Sequence, residues 1–173
     1  LRASGDFFVS HGPRPPRAVS HRCPTAAIMT PEQNLARLGL LLPPAPKPVA
    51  VYRPVVVVQG LAYVSGHGPV RTDGSLVTGR VGADLDLAAG HAAARQVGLA
   101  ILANLRAHFG SLDRVHRVIK LLGMVNSAPD FYDHPKVING ASNLMVDVLG
   151  AKGRHTRVAV GCSSLPLGAV RLT

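Results

Sequence analysis

The 173-residue chain contains no tryptophan, three tyrosines and four phenylalanines, so aromatic residues make up only 4% of it. That scarcity removes the stacking platform on which single-stranded nucleic acids are held. Acidic residues are also few: nine Asp and Glu stand against 19 Lys and Arg, a formal net charge of +10. A surplus of that size allows an anionic partner. The basic residues are scattered without a lysine/arginine block, however, and a nucleic-acid-binding stripe is disfavoured. With so few carboxylates, acid–base pairs are hard to assemble, and Asp130 and Asp133 read as solvated or capping groups in a loop. The two cysteines, Cys23 and Cys162, have neither metal-ligand spacing nor the number a disulfide framework needs. They fit a reducing compartment, hence a cytoplasmic protein. No apolar run is long enough to cross a membrane. A phosphate loop, a dinucleotide fingerprint and His or Cys pairs at zinc spacing are all missing, so no cofactor and no metal are expected. Ser163-Ser164 lacks the Gly-x-Ser-x-Gly context of a serine hydrolase. His91 and His108 read as surface residues, and His134 and His155 stand isolated.

What is present is apolar. Hydrophobic residues reach 47%, enough in a chain of this length for one domain with a core of its own. Residues 1–28 differ from the rest. They carry Arg2, Arg14, Arg17 and Arg22, prolines at 13, 15, 16 and 24, and no hydrophobic period. The segment reads as a disordered or non-native extension, with Met29 favoured as the natural start; a targeting peptide is the other reading. From there Thr30-Pro31-Glu32-Gln33 is a capping box that opens a short helix, stopped at Gly39. Residues 40–48 form a proline-rich connector. Residues 49–58 and 61–65 read as two strands of a hairpin around Gln59-Gly60, with Pro54 marking an edge or bulge. Gly66-His67-Gly68-Pro69 breaks regular structure, and Asp73-Gly74 is a second turn. Residues 84–109 carry a helical stripe of Leu87, Ala94, Val97, Ile101, Leu105 and Phe109, capped by Asp84 or Asp86 and ended by Gly110. Residues 115–125 read as a strand and 126–133 as a loop. A second long helix opens at Pro135, with its stripe on Ile138, Ala141, Met145 and Val148. Mixed order of this kind predicts an α+β fold with helices on one face of a sheet.

The last segment, residues 156–166, organises the functional reading. Val158 and Val160 alternate with small residues as in a strand, and Arg157 stands at its head. A guanidinium there offers the planar fork that binds a carboxylate bidentately; a solvated strand-end arginine is the other reading. Cys162 shares the face of Val158 and Val160 by alternation and reads as a buried structural thiol.

Three blocks then occur in the order and spacing of a known family. Tyr52 is followed by Gln59-Gly60 and Val64-Ser65-Gly66, Ala94-Arg95-Gln96 lies inside the long helix, and Thr156-Arg157 runs on to Leu165-Pro166. Over residues 29–169 the chain resembles the reactive-intermediate deaminase (Rid, YjgF-like) family, also labelled endoribonuclease L-PSP. The run His134-Pro135-Lys136-Val137-Ile138-Asn139-Gly140-Ala141-Ser142, with Gly153-Arg154-His155-Thr156-Arg157 after it, is similar to a less-characterised branch of it.

The resemblance implies a chorismate-mutase-like subunit, with a six-stranded mixed sheet and two main helices on one face, assembled as a homotrimer with pockets between subunits. It implies that Arg157 grips the carboxylate of a small 2-imino acid while water attacks the C=N carbon, releasing ammonia and a 2-oxo acid. Tyr52, Ser65, Gly66, Asn139 and Ala159 fall at the matching pocket positions. Two departures stand beside this. The family's last-strand glutamate, which helps position the water, has no counterpart in Gly168-Ala169-Val170-Arg171-Leu172-Thr173, so the final strand reads as truncated or altered. The family's cysteine two residues after the arginine is Ala159 here, whose backbone carbonyl could hold the water instead. A non-enzymatic member that binds small carboxylates or a protein partner is therefore the alternative, and RNA binding or cleavage, after the older label, is a third.

Overall fold

Residues 29–45, 50–168 and 170–172 are described by the computed structural model. The N-terminal extension with Cys23, part of the proline-rich connector, the start of the first expected strand, and Ala169 and Thr173 lie outside them.

The first helix, α1 (Pro31–Arg37), forms as its capping box dictates. The Thr30 hydroxyl accepts from the Gln33 amide at 3.3 Å, and the Gln33 side chain accepts from the Thr30 amide at 2.9 Å. The first strand, β1 (Val55–Val58), is shorter than expected. Pro54 has no N–H to give a ladder, and residues 50–53 bend before it. β1 pairs antiparallel with β2 (Leu61–Val64), Val56 opposite Tyr63, around a turn at Gln59 and Gly60 that both take positive φ. The Asp73-Gly74 turn also forms, joined by a bridge between Val70 and Leu76. Side-chain and backbone hydrogen bonds from Ser75 hold the exposed Asp73 carboxyl below its ordinary pKa.

Helix α2 (Leu87–Phe109) is capped by Asp86, whose carboxylate accepts from the Ala89 amide at 2.7 Å, and closed by Gly110 in the left-handed region. Asp84 instead accepts from the Arg80 amide at 2.9 Å, closing the loop before the helix. The next strand, β3 (Lys120–Asn126), begins five residues later than expected. Ser111 caps a 3-10 turn over Leu112–Arg114, and the segment after it makes isolated bonds rather than a ladder: the Val118 amide donates to the Lys152 carbonyl, and the Ile119 carbonyl accepts from the Thr156 amide and hydroxyl. Helix α3 (His134–Leu149) follows, with Pro135 in its first turn. Then come β4 (Thr156–Cys162), parallel to β3, and β5 (Arg171–Leu172), antiparallel to β3 on its other side. The last described strand is thus two residues long.

The described residues form five strands in two pieces, β1-β2 and β4-β3-β5, where six in one sheet were expected. One bridge joins the pieces. His67 donates its amide to the Leu172 carbonyl at 2.8 Å and accepts from the Leu172 amide at 3.2 Å. The order across the molecule is therefore β1-β2-β5-β3-β4. Both long helices lie on one face of this sheet, and the core forms there from Val97, Ile101, Leu102, Leu121, Val125, Ile138, Ala141, Leu144, Met145 and Leu172. The helices approach closely at Gly140, where a Cβ would collide with the His91 carbonyl.

The opposite face is uncovered. Val56, Val58, Leu61 and Tyr63 on the hairpin and Val158 and Val160 on β4 are all at least 39% exposed. Cys162 lies on this face and is half-buried, so the expectation of a buried thiol is corrected: its alternation partners point away from the helices.

Candidate functional site

Strand β4 is an edge of the sheet, and alternation turns Arg157 and Ala159 toward the helix side while Val158 and Val160 take the open face. Arg157 is half-buried and reaches across to α3. Its Nη1 donates to Asn139 Oδ1 at 2.8 Å and to Ser142 Oγ at 3.1 Å. Asn139 and Ser142 are three apart on the helix and so share a face. Behind them stands His155, with Nε2 3.1 Å from Ser142 Oγ and Nδ1 2.6 Å from the Gly153 carbonyl oxygen. Among the described residues no carboxylate lies within ion-pairing distance of Arg157; the ion pairs are Arg106 with Glu32 and Lys136 with Asp133. Nor do Nε and Nη2 have hydrogen-bond partners among them. Arg157 is thus a half-buried guanidinium held by two neutral oxygens through one of its nitrogens.

Ala159 follows Arg157 on the same side and packs against the core. Two residues on, Gly161 faces a second polar pair, Ser127 Oγ and His134 Nε2, 3.0 Å apart. A Cβ at Gly161 would collide with both, so glycine keeps the pair together. His134 and His155, isolated in sequence, are therefore both engaged. The Asp133 carboxylate takes Lys136 at 2.9 Å and makes no capping bond to α3. His91 is half-buried rather than on the surface, whereas His108 is exposed.

The other expected pocket residues sit elsewhere. Tyr52 is exposed in the bend before β1. Ser65 donates its hydroxyl to the Arg53 carbonyl at 2.7 Å, and Gly66 follows at the end of β2. In strand order β5 and β3 stand between them and β4, a span of roughly 14 Å at ordinary strand spacing. One chain thus brings Arg157, Asn139 and Ala159 together and leaves Tyr52, Ser65 and Gly66 around the hairpin, with β5 and β3 between. Two depressions on the single chain, one beside Asp86, His91 and Lys136 and one beside Arg71, Thr72 and Gln96, include neither group.

Ser142 and His155 were not singled out from sequence as site residues. The signal was available: Ser142 lies three residues after Asn139 on one helix face, and His155 lies two before Arg157 at the start of the strand.

A mixed sheet with two long helices on one face and an edge-strand arginine turned toward them defines a chorismate-mutase-like α+β subunit. The comparisons agree. Residues 32–173 match the family described as "YjgF/chorismate mutase-like, putative endoribonuclease". The protein TCP17 of Trypanosoma cruzi is 44% identical over 137 residues, 79% of this chain and 86% of that protein. The crystal structure of Atu1372 from Agrobacterium tumefaciens, a protein of unknown function, is 44% identical with a TM-score of 0.75, covering 83% of this chain and 88% of that one. A Shewanella oneidensis structure that carries the endoribonuclease label is 32% identical with a TM-score of 0.80, covering 83% and 96%. The chain belongs to the YjgF-like, or Rid, family.

Proposed function

We propose that Arg157 is a carboxylate clamp for small 2-imino and 2-oxo acids, in a pocket completed by a second copy of the chain. The observation that carries this reading is the guanidinium without an acidic partner, held by Asn139 and Ser142 through Nη1 alone. A carboxylate taken side-on by Nε and Nη2 would make two parallel charge-assisted bonds. The imine carbon next to it is then fixed, and little else is needed, because a protonated C=N is already electrophilic. Water adds to that carbon to give a carbinolamine. The nitrogen takes up a proton and leaves as ammonia as the C=O forms, so the products are a 2-oxo acid and ammonia. The Ala159 carbonyl is the proposed acceptor that orients the water, in place of a glutamate.

Assembly belongs to the same proposal. The two half-sites lie apart on one subunit, Tyr52, Ser65 and Gly66 around the β1-β2 hairpin and Arg157 on the β4 edge. Joining two unlike patches is a head-to-tail contact, which makes a ring, rather than a twofold dimer, when its rotation closes. The uncovered apolar face, which includes Val158 and Val160 on β4, is what such a ring would bury, and the homotrimer of the family resemblance is the proposed closure.

The replacement of the family's cysteine by Ala159 favours one second reading, a pocket that holds the acid without rapid turnover. Two measurements decide. A small 2-oxo acid is titrated into the wild type and an Arg157 variant, and ammonia is followed from a 2-imino acid made in situ by an amino-acid oxidase. Binding with accelerated ammonia release supports the deaminase. Binding with release at the uncatalysed rate supports the binder. Affinity that ignores Arg157 removes both.

A further inference from the structure

We infer that Ser142 and His155 are positioning residues that set the Arg157 guanidinium for its ligand; the inference rests on the clamp reading. With His155 neutral, the hydrogen bonds allow one assignment. The Gly153 carbonyl only accepts, so His155 Nδ1, 2.6 Å from it, carries the proton. In a neutral imidazole Nε2 is then an acceptor, and the Ser142 hydroxyl 3.1 Å away donates to it. The Ser142 lone pairs are left for Arg157 Nη1, which can only donate, at 3.1 Å. The other Nη1 hydrogen goes to Asn139 Oδ1 at 2.8 Å. Every proton from Arg157 to Gly153 is thus directed, and both hydrogens of Nη1 are engaged.

The consequence concerns what is left. An arginine side chain has rotamer freedom that it must lose on binding. Here the chain Arg157–Ser142–His155–Gly153 removes that freedom before the ligand arrives and leaves Nε and Nη2 as the presented edge. Without the His155 acceptor the Ser142 hydroxyl turns elsewhere, and its lone pairs no longer face Nη1 in one arrangement. Asn139 cannot replace it, because one bond leaves the guanidinium free to swing about that contact.

The test uses the full chain, with pyruvate as the probe. In the ligand-free wild type, nitrogen-detected NMR of the Arg157 guanidinium is expected to show separate Nη1 and Nη2 signals from hindered rotation. Ser142→Ala and His155→Leu should merge them, and each should weaken pyruvate binding by about three- to tenfold, the range of one hydrogen bond. Ser142→Thr, which keeps the hydroxyl, and His155→Gln, which restores an acceptor, should recover most of the loss. In an Arg157→Lys background, Ser142→Ala should add nothing to the loss of affinity. A residue that merely stabilised the fold would weaken both backgrounds alike. Wild-type affinity in Ser142→Ala and His155→Leu, while Arg157→Lys still loses most of its binding, overturns this inference and spares the clamp. Equal affinity in wild type and Arg157→Lys overturns the clamp, and this role for Ser142 and His155 with it.

Discussion

A guanidinium has five N–H donors, and Arg157 commits two of them to the protein. Lysine keeps the charge but not the fork, so Arg157→Lys is expected to lose most 2-oxo acid affinity, and Arg157→Ala on the order of thirtyfold or more. Calorimetric titration measures both. Thermal stability should move little, because Asn139 and Ser142 lie near the surface and water can take up their freed oxygens. A large fall in melting temperature with unchanged affinity would make Arg157 a structural residue instead. At this scale the sequence was legible where one residue carries the chemistry. Arg157 stands out as the head of an alternating strand, and Asn139 came with the resemblance. Ser142 and His155 were harder to see, since their role exists only through a helix and a strand running past each other, and a serine in a helix or a histidine before a strand has many uses.

Among the elements, those defined by short-range chemistry were read closely. The Thr30–Gln33 box, the Asp86 cap and the Gly110 stop each depend on residues three or four apart, and each forms. Thr30→Ala removes one half of the box and should cost about 1 kcal/mol, measurable by denaturant unfolding. An unchanged midpoint would show that the tertiary contacts of Glu32, Asn34 and Leu35 hold α1 without the cap. Strand limits were read less well, because a strand is defined by its partner. Residues 115–119 have strand-like composition, yet β3 starts at Lys120, where Thr156 of β4 lies opposite. Ser111 and the 3-10 turn take up the chain before it. The hairpin likewise starts only after Pro54. The α2–α3 crossing was not legible at all, since nothing local marks Gly140 as the point where the helices touch. Gly140→Val is expected to be strongly destabilising, with the helices forced apart. A melting temperature within a degree or two of wild type would show that the contact relaxes easily.

For the whole molecule, the α+β class followed from the order of elements, whereas the division of the site between the hairpin and β4 followed only from the strand order. On the proposed assembly, a charge introduced on the open face, as in Val158→Glu, should convert a trimer to monomers in sedimentation and abolish pyruvate binding, with Arg157 untouched. A wild-type chain that sediments as a monomer at micromolar concentration would remove the shared pocket. The bridge between His67 and Leu172 then takes on a mechanical meaning. Its two hydrogen bonds are the ladder link between the hairpin and the three-stranded sheet among the described residues. The buried His67 ring is braced by the Ser65 carbonyl at 2.6 Å and by Asn104 at 2.6 Å. On the proposed assembly this pair would act as a torsional coupling, with Ser65 and Gly66 on one arm and Arg157 on the other. Loosening the brace with Asn104→Ala should raise amide exchange at His67 and Leu172 in step, and uneven rates would mean the arms are joined elsewhere. In a closed ring each coupling sets the gap that its neighbours share, so a small twist at one bridge would be distributed around the circle, and pocket width would belong to the ring and not to any one subunit.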